Sequence, residues 1–214
     1  MILFSMQKHR PGNKKSLTYP RKNHVAHMPA RTIESELAAW QIFYQVIFGI
    51  ELLLKDIKIP KARHGFDRMI VVTEGLMPNQ VYALCAAHFS LARHYMNLDS
   101  DVVENERVSD RSYAVFLRGG NESDAELKNM SADELRKNSI TTITLLEYLL
   151  YQLKHFIETG MLLDARDITM CAGSRYKDGR VPTAISHHGE LKIHWCAPHE
   201  KNPRLRARQI LRYC

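Results

Sequence analysis

Residues 168–196 read ITMCAGSRYKDGRVPTAISHHGELKIHWC, and the kind of fold turns on this stretch. Three short apolar runs, 168–172, 181–186 and 191–195, are separated by Asp178-Gly179 and by His188-Gly189-Glu190, both turn signals. A three-residue loop at 188–190 pairs His187 with Leu191, Ile185 with Ile193 and Thr183 with Trp195. That register gathers Val181, Ile185, Leu191, Ile193 and Trp195 on one face and leaves Ala184, Ser186, Lys192, His194 and Cys196 on the other. A slip of one residue would reverse the faces. The expectation is a three-stranded antiparallel meander lying with its apolar face on whatever precedes it.

What precedes it reads as helix. Thr32 can cap a helix running to about Asp56, with Glu34 and Glu36 near its positive end. Pro78 suits the first position of a second helix, in which Val81, Leu84, Cys85, His88, Leu91 and Tyr95 recur at three- and four-residue spacing to about Asn97. A third spans 140–159, carries Ile143, Leu146, Leu150, Leu153 and Ile157 on one stripe, and ends at Gly160. Ser131 and Glu134 form a capping box for a shorter one. The run 112–118, closed by Gly119-Gly120, reads as another short helix. The run 66–73 is ambiguous, with Gly75 favouring a helical turn. The predicted fold is therefore α+β and mainly α: one domain over 32–199, helical at 32–160 with the meander at 161–199. A basic arm at 1–31 and a basic tail at 200–214 flank it.

The chain has 214 residues, 45% hydrophobic and 25% charged, which are ordinary globular values. A chain of this length can bury about 70% of its unfolded surface without disulfides or metal. Its charge is uneven. Residues 1–32 hold seven basic side chains and no acid, and residues 199–214 hold five against Glu200 alone. The stretch between carries 18 basic against 22 acidic groups. Basic ends on a mildly acidic body suit polyanions, because each Lys or Arg that neutralises a phosphate releases a counterion. They also serve as solvated termini. Pro11, Gly12, Pro20 and Pro29 would interrupt any amphipathic presequence helix, and residues 1–4 are too short for a secretory apolar core. Residues 37–54 are the most apolar stretch, but Gln41, Gln45, Gly49 and Glu51 argue against a membrane span. A helix that apolar is central to a core or shared with a second subunit, so a homodimer through 37–54 is one expected partner. Four cysteines at long, irregular spacing point to a reducing compartment, and the expected location is cytoplasmic.

Candidate chemistry collects near the meander. Four of the 11 histidines lie in 187–199, and His194, Cys196 and His199 are potential zinc ligands. Their H-x-C-x-x-H spacing matches no standard module, and no C-x-x-C pair exists, so no metal or other cofactor is expected. Cys171, at a strand end beside small residues, could act as a nucleophile with His194 as base. The loop 173–180 carries Arg175, Lys177 and Arg180 on a Gly-containing scaffold, where backbone N–H groups and guanidinium forks can hold phosphate. It lacks P-loop spacing. The tail offers Arg204, Arg206, Arg208 and Arg212, whose forks suit bidentate phosphate or carboxylate contacts. The tail could equally dock on the acidic stretch 99–110.

The leading expectation is a non-enzymatic nucleic-acid-associated or adaptor protein contacting phosphate through its arms and the 173–180 loop. One alternative is a small-molecule enzyme or metal-binding protein using Cys171, Arg175, His194 and Cys196 on the meander. A third is a helical oligomerisation protein.

Overall fold

A computed structural model of the chain describes residues 32–55, 57–92 and 97–213. The basic arm 1–31, Cys214, and the expected helix ends at Asp56 and 93–96 lie outside them.

The elements run as follows. Helix α1 (Ile33–Phe43) continues into a π turn (Tyr44–Phe48); strand β1 (Arg68–Val72), helix α2 (Pro78–His88) and the short strand β2 (Ser90–Leu91) come next. Helix α3 (Leu98–Asp101), strands β3 (Val102–Asn105) and β4 (Tyr113–Leu117), a 3-10 turn (Ala125–Leu127) and helices α4 (Ala132–Lys137) and α5 (Leu145–Thr159) make up the middle. Strands β5 (Ile168–Met170), β6 (Ser174–Tyr176), β7 (Val181–His187), β8 (Glu190–Cys196), β9 (Leu205–Ala207) and β10 (Ile210–Arg212) follow. They form three sheets, ordered β1-β4-β10, β2-β8-β7-β5-β9 and β3-β6. The first and third are antiparallel, whereas β2 and β9 join the second in parallel.

The expectation of a mainly helical body with one three-stranded meander is thus overturned. The chain is about 31% helix and 25% strand, with five α-helices among the described residues. The meander exists, as β5, β7 and β8, but it is the middle of a five-stranded mixed sheet. The run 112–118, expected as a short helix, and the ambiguous run 66–73 both form strands. Met69 to Val72 and Ala114 to Leu117 are buried throughout, and β4 lies between β1 and β10. A strand buried on both faces shows no alternation, so period alone cannot tell it from a helical turn.

Two helices are shorter than their apolar stripes. The first gives way to the π turn at Tyr44 and stops at Gly49, whose φ of 67° is left-handed. The Gln41 amide then donates to Leu52 O at 3.2 Å, tying the returning chain to α1. The second ends at His88, and Ser90 and Leu91 leave it to pair with β8. Helix α5 begins five residues later than expected, at a capping box in which Thr144 accepts from Glu147 N and the Glu147 carboxylate accepts from Thr144 N. Its Gly160 cap, with φ 75°, is as expected.

The β7–β8 register also differs. His187 pairs with Glu190, Ile185 with Lys192 and Thr183 with His194. The loop is therefore two residues, His188 and Gly189, both with positive φ (52° and 76°). That is the type I′ pattern, whose twist matches paired strands. The strand β7 is turned over relative to the expected faces. Ala184 and Ser186 are buried beside Leu191 and Ile193, while Val181, Thr183 and Ile185 share the other face with Lys192, His194 and Cys196.

Helix α5 is the centre of the larger core. Leu145 through His155 are all buried, and the helix packs against α2 and β1. From the far side, the Trp40 indole donates to Met69 O at 3.1 Å and the Tyr44 hydroxyl to Val71 O at 2.8 Å, fixing α1 to β1. A smaller core joins Leu127 and Leu135 to Met170, Val181, Cys196 and Leu205. Among the described residues no helix is long and apolar enough to cross a membrane.

Candidate anion-binding cleft

The residues between β3 and β4, with the end of β10, enclose a cleft of about 350 Å³. Two of its lining residues, Arg107 and Tyr113, are held from behind by α5. The Glu147 carboxylate, fully buried in the first turn, accepts from Arg107 Nε at 2.6 Å, Arg107 Nη2 at 2.9 Å and the Tyr113 hydroxyl at 3.1 Å. Arg107 Nη2 also donates to Thr142 O at 2.6 Å. Burial alone would raise the Glu147 carboxyl, but the Arg107 guanidinium and the other donors outweigh it and hold the carboxyl below its usual range. Burial and the neighbouring Glu147 charge push the Tyr113 hydroxyl up. Arg107 and Tyr113 are therefore backed by a fixed ion pair with no proton to exchange near neutral pH, which suits a rigid support for binding better than acid–base chemistry.

The rim is cationic. Lys58 joins the start of β4 by a backbone bridge to Tyr113, and its Nζ lies 5.1 Å above the Tyr213 ring. Arg111 precedes β4, and Arg212 stands at the end of β10 opposite Val115. All three are exposed. Among the described residues none has a carboxylate within 4.0 Å, whereas Glu106, also lining the cleft, is already paired with Arg107 Nη1 at 3.2 Å. Asp110 contributes a second acid to the lining. The balance at the mouth still favours an anion, with Tyr213 offering an aromatic face.

Most of the basic residues singled out from the sequence are committed elsewhere. Arg208 is wholly buried and pairs with Asp164 at 2.8 Å. Arg206 pairs with Asp167 at 3.0 Å, and Arg204 Nε donates to Arg166 O at 3.0 Å. Lys177 pairs with Asp101 at 3.3 Å. Arg180 pairs with Asp178 at 2.5 Å and stacks 3.8 Å over the Trp195 ring. Arg175 is buried and donates to Ala172 O and Ser174 O. Arg212 alone of this group reaches the cleft. The tail's last arginines thus belong to strands β9 and β10 or their junction, and not to a free segment.

The sulfur and imidazole candidates are not gathered into one site. Cys171 is fully buried in the larger core, while Cys196 belongs to the smaller one, its thiol 3.8 Å from the Met170 sulfur. Burial pushes the Cys171 thiol well above its usual range and the Cys196 thiol to about 12. His194 and His199 are exposed, and the His194 ring stacks on Trp195, with Nδ1 3.2 Å from that residue's carbonyl. Among the described residues no three His, Cys, Asp or Glu side chains are grouped to hold a metal ion. A Cys214→Ser chain treated with iodoacetamide at about pH 8 should accordingly stay unmodified at Cys85, Cys171 and Cys196 until it is unfolded. Rapid labelling of Cys171 in the native chain would restore it as a nucleophile.

Lys58, Arg111 and Tyr213 drew no attention in the sequence. They are isolated there, and only the pairing of β4 with β10 and with Lys58 brings them to one cleft. No known protein family, curated protein or solved structure shows a significant match to this chain.

Proposed function

We propose that the protein is a non-catalytic phosphate-contacting protein that associates with nucleic acid through this cleft, aided by its basic residues 1–31. The observation that supports the reading best is the convergence of Lys58, Arg111 and Arg212, each without a carboxylate partner among the described residues, on one cleft. Tyr213 adds a surface on which a base can stack. Contacts of this kind are largely electrostatic and weakly selective for sequence. The free thiols at Cys85, Cys171 and Cys196 favour the cytoplasm as the place of action.

The test is fluorescence anisotropy of labelled single- and double-stranded oligonucleotides with the full chain, titrated from about 50 to 200 mM salt. The expected slope of log K against log[salt] is about −4 to −5 on duplex. The triple variant Lys58→Ala/Arg111→Ala/Arg212→Ala should make that slope shallower by about 3, at roughly one unit per phosphate contact. An unchanged slope in the triple variant removes the cleft from the reading. A flat slope in the parent chain removes nucleic acid altogether.

A further inference from the structure

A second, smaller cavity of about 200 Å³ opens between β3, the chain at Ala172–Gly173 and the C-terminal turn of α4. It has room for roughly seven waters at ~30 Å³ each, which is the scale of a small metabolite and not of a polymer. Arg175 is one of its lining residues. The side chain is only 5% exposed, yet both of its hydrogen bonds leave from one nitrogen: Nη1 donates to Ala172 O at 2.6 Å and to Ser174 O at 2.8 Å. Nε and Nη2 have no acceptor among the described residues, and no carboxylate pairs with the guanidinium. Those two nitrogens are not among the wholly buried unpartnered atoms, so they are open to donate to an anion. Burial, reinforced by the nearby Arg136 guanidinium, pulls the Arg175 pKa down against the opposing influence of Asp133, Glu104 and Glu106.

The lining also carries the other sign, for Glu104 stands directly beside Arg175 as its cross-strand partner on β3. Glu104 and Glu106 both line the cavity, and while Glu106 is paired with Arg107, Glu104 has no cation within 4.0 Å among the described residues. Asn105 is fixed between them, its Oδ1 accepting from Ser174 Oγ at 2.6 Å. Ala172 and Gly173 complete the lining, and Gly173 is packed closely against the segment leading into α5, where a Cβ would lie 2.8 Å from Thr142 O. A phosphate dianion entering this cavity would gain two guanidinium groups but face two carboxylates. A molecule carrying both signs would find a partner for each.

We infer that this cavity is a binding site for a small zwitterion of the amino-acid class, its carboxylate held by Arg175 and Arg136 and its ammonium facing Glu104. The site is separate from the cationic cleft and shares only Glu106 with it.

Calorimetric titration of the full chain tests it, with L-alanine and γ-aminobutyrate as zwitterions and with propionate, propylammonium and inorganic phosphate as single-charge probes. One zwitterion should bind saturably at one site per chain, at least tenfold more tightly than any single-charge probe. The exposed positions Arg136 and Glu104 give variants that leave the core alone. Arg136→Ala should weaken the zwitterion roughly tenfold or more, and Glu104→Gln should weaken it similarly while leaving propionate unchanged or tighter. Lys58→Ala/Arg111→Ala/Arg212→Ala should bind it as the parent does, which keeps this result independent of the nucleic-acid reading. Three outcomes overturn the inference: no saturable binding at about 10 mM of any zwitterion, tighter binding of phosphate or propionate, or zwitterion binding indifferent to Arg136→Ala or Glu104→Gln.

Discussion

Arg208→Met should lower the free energy of unfolding by about 3–5 kcal/mol, read as a fall in the denaturant midpoint at unchanged slope. Arg208 and its partner Asp164 are both fully buried, 2.8 Å apart. The guanidinium also donates to Gly120 O at 3.1 Å and Asn121 O at 3.4 Å, and lies 5.4 Å over the Tyr151 ring. Asp164 in turn accepts from Thr169 Oγ1 at 2.7 Å, while its backbone binds Asn121 O and Ser186 N. Methionine fills most of the volume but leaves the Asp164 carboxylate buried with one donor. Burial already pushes that carboxyl up, with Arg208 the main opposing influence, so its loss drives Asp164 towards the neutral form. Asp164→Asn in the Arg208→Met background should recover part of the loss, because the uncompensated charge is then gone. A penalty under about 1 kcal/mol for Arg208→Met would mean that the pair carries no such weight.

Glu147→Gln should cost a similar amount, about 3–5 kcal/mol, and change the response to acid as well. The amide keeps the shape but meets Arg107 with an NH2 group where two guanidinium N–H groups now find carboxylate oxygens at 2.6 and 2.9 Å. Because the folded carboxyl is held below its ordinary value of 4.5, the unfolded chain takes up a proton first as pH falls. The contribution of Glu147 is therefore complete above about pH 4.5 and is lost as pH drops below it through the folded value. Urea unfolding between about pH 7 and 3 should show a shallower loss of stability in Glu147→Gln than in the parent chain. Parallel curves would assign the acid sensitivity to other carboxylates.

How much of this was legible beforehand differs from element to element. The caps were plain: Thr32, Ser131 with Glu134, and Gly160 each end or begin a helix where side-chain chemistry demands it. Local signals of that kind do not depend on the rest of the chain. The strand β4 was hidden, since its neighbours on both edges, β1 and β10, come from sequence positions far away and bury it on both faces. The β7–β8 turn was misread because His188 takes the positive φ more often expected of Asn or Gly. One residue of loop length then inverted every side chain on β7. The cleft was almost illegible. Arg212 stood out as one of a run of arginines, but what separates it from Arg208, four residues earlier, is that one strand end reaches solvent and the other position meets Asp164.

The placement of β9 and β10 bears on how the chain reaches this state during synthesis. One is the edge of the five-stranded sheet beside β5, the other the edge of the three-stranded sheet beside β4, and Arg208 sits between them. Translation must therefore pass Arg212, and the segment must clear the ribosome, before either large sheet can close or Asp164 can find its counter-ion. Until then β4 and β5 each present an unpaired edge, the kind of surface to which chaperones and proteases attend. A nascent chain stalled before Leu205 would carry nearly all of the core and still lack an edge strand of both large sheets.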